Sequence, residues 1–214
     1  MDEQVNSGNL AEMEIVQFPG KIISVNSEKK ADAVLPELLK EKALGIDTET
    51  RPSFKKGVSH HVALVQIATW DTCYLFRVCR MTDIDAVKQI LESPRILKIG
   101  LSLKNDFIGL RRKWPVEPHN YIDLQQYVAA FGIEEKSLQK IYALLFGKRI
   151  SKTKQLSNWE VPRLTVSQRN YAAIDAWACL HIYKALLRKP LPKPYQSLLP
   201  ITYRRGSEKL FIQK

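Results

Sequence analysis

No stretch of this sequence approaches the ~18 consecutive apolar residues that a membrane-spanning helix needs, so a helical membrane protein is not expected. The opening MDEQVNSGNLAEMEIV lacks the basic and apolar regions of a secretory signal. Cysteine is scarce: Cys73, Cys79 and Cys179 are three in number and show no C-x-x-C spacing. That speaks against a disulfide framework or a zinc site and for reduced thiols in a cytoplasmic protein. Internal repeats and low-complexity segments are missing as well.

Positive charge is what the chain has in excess. Lys and Arg number 33 against 22 Asp and Glu, a net +11 over 214 residues. The balance favours a polyanionic partner, although solubility alone is a sufficient use for it. The length and 45% hydrophobic content suit one α/β domain with a tail.

Patterning along the chain predicts the elements. KIISV (21–25) reads as a short strand. A helix follows, capped by Ser27, with Ala31, Val34, Leu35, Leu38 and Leu39 on one face. ALGIDTET (43–50) reads as a buried strand. HVALVQIAT and TCYLFRV form a hairpin turning at Trp70 and Asp71. A helix over 82–92, a strand over 95–100, a helix over 103–113 and a short strand in HNYID come next. Helices then dominate, over 123–130, 137–146 and 165–187. The expected architecture is an α/β fold, a mixed sheet with helices on its faces. Residues 1–20 are expected to be a loosely ordered N-terminal extension. Residues 190–214, with KPLPKPYQSLLP and the basic YRRGSEK, are expected to be a tail; it contacts a substrate or is a disordered end.

Acidic residues occupy positions where acids are unusual. Strand side chains alternate, so Asp47 and Glu49 share a face at the end of a core strand. Asp106 falls within the apolar stripe Leu103, Phe107 and Leu110. Asp175 falls within the stripe Tyr171, Ile174, Ala178 and Ile182, with Tyr171 one turn before it. Carboxylates are rarely buried unless paired, and neighbouring ones raise each other's pKa. Each acid alone could meet an Arg or Lys or cap a loop, but the core stripes offer no four such partners. Shared divalent cations, Mg²⁺ or Mn²⁺, answer all four at once. Two such ions about 3.5–4 Å apart clamp a phosphorus centre for in-line attack.

In order, DTE (47–49), LKND (103–106) and YAAID (171–175) resemble the three motifs of the DEDD 3′→5′ exonucleases. The Tyr-x-x-x-Asp spacing marks the tyrosine-bearing branch. The stretch KQLSNWEVPRLTVSQRNYAAIDAWACLHIY is similar to RNase D and, more closely, to the exonuclease domain of the Werner syndrome helicase. The resemblance covers roughly residues 20–188, so 21–189 is expected to be an exonuclease domain of ribonuclease H-like fold. It implies that Asp47 bridges two metal ions and that Glu49 and Asp175 hold the ion that activates water. Asp106 would serve the second ion, largely through water, and Tyr171 would orient the attacking water. Thr50 matches a position that contacts the terminal nucleotide in the related proofreading domain of DNA polymerase I, and Ser102 stands in this chain where that domain has an asparagine, four residues before the second-motif aspartate.

Other residues admit two readings. In SKTKQLSNW, Lys152 and Lys154 sit on a phosphate-tracking loop or on a solvated loop with one core tryptophan. Asp123 reads as a helix N-cap rather than a fifth ligand. His60 and His61 point to opposite strand faces and make a poor chelate. Arg111, Arg112 and Lys113 suit a helix C-terminus. The expected activity is release of nucleoside 5′-monophosphates from a single-stranded or frayed 3′ end. DNA is favoured because no helical domain of the bacterial RNase D kind follows residue 190. Alternatives are RNA 3′-end processing and a binding module that has lost catalysis.

Overall fold

The computed structural model describes residues 7–189. The tail expected over 190–214 lies outside the described residues, as do residues 1–6. The elements run α1 (Ser7–Glu12), β1 (Lys21–Val25), α2 (Glu28–Leu38), β2 (Ala43–Thr50), β3 (Val62–Ala68) and β4 (Thr72–Phe76). After a 3₁₀ turn at Val78–Arg80 come α3 (Asp85–Glu92), β5 (Leu97–Gly100), α4 (Leu103–Arg111), β6 (Tyr121–Asp123), α5 (Leu124–Ala129), α6 (Leu138–Phe146) and α7 (Val166–Leu187). Local chemistry sets the helix starts. Ser27 caps α2, and Thr165 with Gln168 closes a reciprocal capping box at α7.

The strands form one mixed sheet in the order β1-β4-β3-β2-β5-β6. The run β2-β3-β4 is antiparallel, whereas β5 and β6 continue from β2 in parallel and β1 lies parallel to β4. All seven residues of β3 are buried, as its central place demands. Two helical layers cover the sheet. On one face α7 packs with α5 and α6 over Leu64, Ala68, Leu75 and Ile99. On the other, α2, α3 and α4 cover Leu44, Ile46, Val65 and Ile67. This is the expected architecture.

The N-terminal segment departs from expectation. Residues 14–18 are not loose: Ile15 bridges Arg149, and Val16 donates to the Arg149 carbonyl at 2.9 Å and is 5% exposed. Phe18 meets the Trp177 ring edge-on at 6.0 Å. Val16 and Phe18 cover the α7 layer, which a solvated extension would leave bare.

One contact brings α7 onto the sheet. A Cβ built at Gly45 would lie 2.0 Å from the Ala176 carbonyl oxygen and 2.9 Å from its carbon. Only a residue without a side chain lets helix and strand backbones approach this closely. Gly45 shares its face with Asp47, and Ala176 follows Asp175, so the contact also sets the two acids side by side. Gly45→Ala should push α7 off β2. Overpacking of this kind costs about 1–3 kcal/mol. In a chain of this size that lowers Tm by roughly 2–12 °C, which differential scanning calorimetry would read. An unchanged Tm would show that the helix can shift without strain.

Candidate active site

Strand alternation divides the end of β2 between the two helical layers. Asp47 and Glu49 face α7, where Tyr171 and Asp175 lie one helical turn apart. Thr48 faces the opposite layer, and its hydroxyl donates to Asp106 Oδ1 on α4 at 2.5 Å. Asp106 therefore reaches the site around the strand end, from the layer opposite the other three acids. The route is tight. A Cβ at Gly100 would lie 2.5 Å from the Ile46 carbonyl oxygen and 2.5 Å from Leu103. Ser102 then takes a left-handed conformation (φ 61°) before α4 begins. Its N–H donates to Asp123 Oδ1 at 3.0 Å, and the same oxygen accepts from Gln125 N at 3.1 Å. Asp123 is thus a cap, as expected, and it ties α5 to the turn that delivers Asp106.

The acids crowd one another. Asp47, Glu49 and Asp175 each offer an oxygen, and the three oxygens lie within 4.8 Å of one another. Among the described residues no Lys or Arg forms an ion pair with any of the four acids. The core does hold two cations, Lys98 and Arg77, but both are used elsewhere. Lys98 Nζ donates to the Ser93 and Ile96 carbonyls at 2.6 and 2.9 Å. Arg77 Nη2 donates to the carbonyls of Trp159 and Val161 at 3.3 and 2.6 Å.

Burial, followed by repulsion, pushes the carboxyls up. Asp47 is raised well above the usual range by desolvation and then by Asp106, Asp175 and Glu49. Glu49 rises to about 9 by desolvation, with Asp175 and Asp106 adding to it. Asp106 rises to about 7 through burial, which outweighs the opposing Thr48 hydrogen bond. Asp175 also rises to about 7 by burial, against a hydrogen bond from Tyr171. The Tyr171 hydroxyl is pushed up by desolvation and by the same acids, so it stays protonated. A cluster of hard oxygen donors, crowded and without cations, suits divalent metal ions.

A cavity of about 280 Å³ opens over Asp47, Glu49, Tyr171 and Asp175. The N-terminal turn of α6, Ser137–Gln139, forms part of its wall, and so do Lys152 and Gln155. Lys154 does not line it, and Thr50 is exposed at the strand end outside the lining. The loop over residues 151–164 is pinned at one end and open at the other. Trp159 is fully buried against Tyr171, with ring centroids 6.0 Å apart. Arg77 holds the carbonyls on either side, Gln168 Nε2 holds the Asn158 carbonyl at 3.2 Å, and Arg51 pairs with Glu160 at 3.2 Å. The tryptophan of the loop is core, and Lys152, its first lysine, lines the cavity. His60 contacts Glu160 at 3.8 Å and meets no metal-binding cluster among the described residues. Sequence reasoning passed over Thr48, Gly45 and the start of α6. Thr48 had a signal in strand alternation, and Gly45 had one as the single glycine of a buried strand.

The sequence profile of the 3′-5′ exonuclease family matches residues 22–190. An exonuclease mut-7 homolog of Aedes aegypti is 29% identical over 187 residues, 76% of this chain and 26% of that protein. The bifunctional 3′-5′ exonuclease/ATP-dependent helicase WRN of Mus musculus is 30% identical over 182 residues, 80% of this chain and 13% of that protein. The chain thus spans about a quarter or less of these two relatives. Among solved structures, the Aedes aegypti Nibbler EXO domain superposes with a TM-score of 0.72 at 25% identity, over 84% of this chain and 95% of that domain. The fold is ribonuclease H-like, as the motifs implied.

The raised carboxyls give the metal-free protein a definite pH response. The folded state keeps protons that the unfolded chain has released, so stability falls as pH rises from about 4 towards the folded values. Those lie at about 7 for Asp106 and Asp175 and about 9 for Glu49. In chelator, Tm should fall between about pH 5 and about pH 9. Saturating Mg²⁺ or Mn²⁺ should flatten the fall, because cations replace the protons. Asp106→Asn removes one like charge and should raise the metal-free Tm at the alkaline end. Equal slopes with and without cations would show that no ion binds the cluster.

Proposed function

Because the chain belongs to the 3′-5′ exonuclease family, we propose that it hydrolyses the terminal phosphodiester at the 3′ end of nucleic acid with two divalent ions, Mg²⁺ or Mn²⁺. One observation carries the reading. Three carboxylates converge within ligand distance under a cavity, next to a tyrosine hydroxyl, and among the described residues no Lys or Arg forms an ion pair with them.

The residues divide the work. Asp47, Glu49 and Asp175 would hold one ion, and Asp47 with Asp106 the other. When bound, the ions supply positive charge to the attacking and leaving oxygens. Thr48 occupies one oxygen of Asp106 and fixes its orientation. Tyr171 stays protonated through neutral pH, so it holds the attacking water by a hydrogen bond and is not the base. Water adds to phosphorus as the bond to the 3′ oxygen breaks, releasing a nucleoside 5′-monophosphate and a strand one residue shorter. The N-terminus of α6 offers N–H groups and a positive dipole end to a phosphate on the cavity wall. Lys152 would meet the backbone there, and Thr50 and Lys154 would touch the strand further out.

The substrate proposed is a single-stranded or frayed 3′ end, DNA first, with RNA served by the same chemistry. A binding module without catalysis has no use for four crowded carboxylates, two of them buried and two half-buried. Cys73, Cys79 and Cys179 are free thiols, and among the described residues no helix is long and apolar enough to cross a membrane. Both fit the cytoplasmic location proposed.

Product ladders from equal-sequence DNA and RNA, single-stranded and 3′-recessed, test the activity. A blocked 3′ end should resist digestion and a blocked 5′ end should not. Circular single strands cut as fast as linear ones would make the protein an endonuclease. Asp47→Asn should abolish both the cation-induced rise in Tm and the cleavage. Tyr171→Phe should keep cation binding and lose roughly 10²-fold or more in rate.

Substrate affinity should fall log-linearly with salt, with a slope of about −0.7 per neutralised phosphate for single strands. Lys152→Glu should flatten that slope, and Lys154→Glu should flatten it less. Equal effects from the two would mean that the cavity wall does not guide the strand.

A further inference from the structure

Strand β3 is apolar except at Gln66 and, at 0% exposed, Gln66 is completely buried. Neither its amide nitrogen nor its amide oxygen has a hydrogen-bond partner. Among the described residues it is the one side chain with two buried polar atoms in that position. Such a group is unfavourable unless it acquires a partner, and an apolar residue of equal length would fill the same space without that penalty.

The register identifies the partner. β2 and β3 run antiparallel with Asp47 directly opposite Gln66, flanked by Glu49 opposite Leu64 and Gly45 opposite Ala68. Directly opposed residues share a face, with Cβ atoms about 4.5–5.5 Å apart. A carboxamide and a carboxylate on such a pair are within reach of one another. Both lie under α7, next to the point where Gly45 admits the helix. On the other side Asp47 accepts from the Thr48 backbone N–H, and no Lys or Arg ion-pairs with it among the described residues.

We propose that Gln66 is a positioning residue: its amide N–H donates to the Asp47 carboxylate when divalent ions are bound, and so fixes the orientation of the ligand that serves both ions. This rests on the two-ion reading above. This structure does not contain the bond; catalytic-site hydrogen bonds commonly tighten only in the loaded state. Groups that hold a metal ligand from behind typically change metal affinity by about 10–100-fold when removed.

Isothermal titration of Mn²⁺ into the wild type and into Gln66→Met provides the test. The variant loses no partner in the metal-free state, so its Tm in chelator should equal or exceed that of the wild type. Its Mn²⁺ affinity should fall about 10–100-fold, and excess Mn²⁺ should restore part of the lost cleavage rate. A variant that binds Mn²⁺ as tightly as the wild type overturns the inference, as does one that loses Tm while keeping its affinity. Should the variant not fold, the wild type decides by nuclear magnetic resonance. The Gln66 side-chain NH₂ signals should shift and exchange more slowly on addition of saturating Mg²⁺, and unmoved signals overturn the inference. A wild type that binds no cation removes the two-ion reading together with this one, an outcome distinct from equal binding by wild type and variant.

Discussion

Four carboxylates gathered in a desolvated corner repel one another, and much of this architecture follows from where that repulsion is held. Desolvation and proximity both favour the protonated forms. The surrounding elements nevertheless fix the acids in place: a central strand, a 22-residue helix in contact with that strand, and a second helix braced from the far layer. A loose scaffold would relieve the repulsion by moving apart. A packed interior transmits such strain instead of yielding to it. The backbone that carries the acids is therefore held in place, and a cation bound there would act mainly by cancelling charge.

Drawing ligands from both sides of the sheet has a structural logic. On the α7 side, Asp47 and Glu49 from β2 and Asp175 from α7 make a row. Adding Asp106 from α4, through Thr48 on the alternate face of the same strand, turns the row into a cluster around the strand end. The strand end is where a sheet offers both faces within a few ångströms. It is also a break between the hydrophobic layers, so water and substrate can enter without opening the core.

The parts legible in the sequence were those with local periodicity. Alternation in ALGIDTET put Asp47 and Glu49 together, and the stripe spacing of α7 put Tyr171 beside Asp175. The element order could be read because each helix and strand carried its own pattern. What escaped reading was non-local. The bridge from Ile15 to Arg149 joins segments 134 positions apart (149 less 15) and leaves no trace in either. Gly45 read as merely small, because its meaning lies in the Ala176 carbonyl that it faces. Gln66 stood in view as the one amide in an apolar strand, but its relation to Asp47 needs the register of two strands. Lys152 and Lys154 looked equivalent until the pinning of Trp159 fixed which of them turns toward the cavity.

That pinning separates two functions along one short loop. Residues 158–161 are bound into the core by Trp159, Arg77 and Gln168, whereas residues 151–157 form turns closed by local hydrogen bonds, Gln155 N to Lys152 O, Ser157 N to Lys154 O and Thr153 N to Ser151 Oγ. Leu156 there is 71% exposed. The outer turn is consequently an interchangeable cassette. Its length and side chains can drift, or be replaced by design, while the anchor preserves the chemistry beneath, so a new preference for one strand over another can arise without refolding the enzyme.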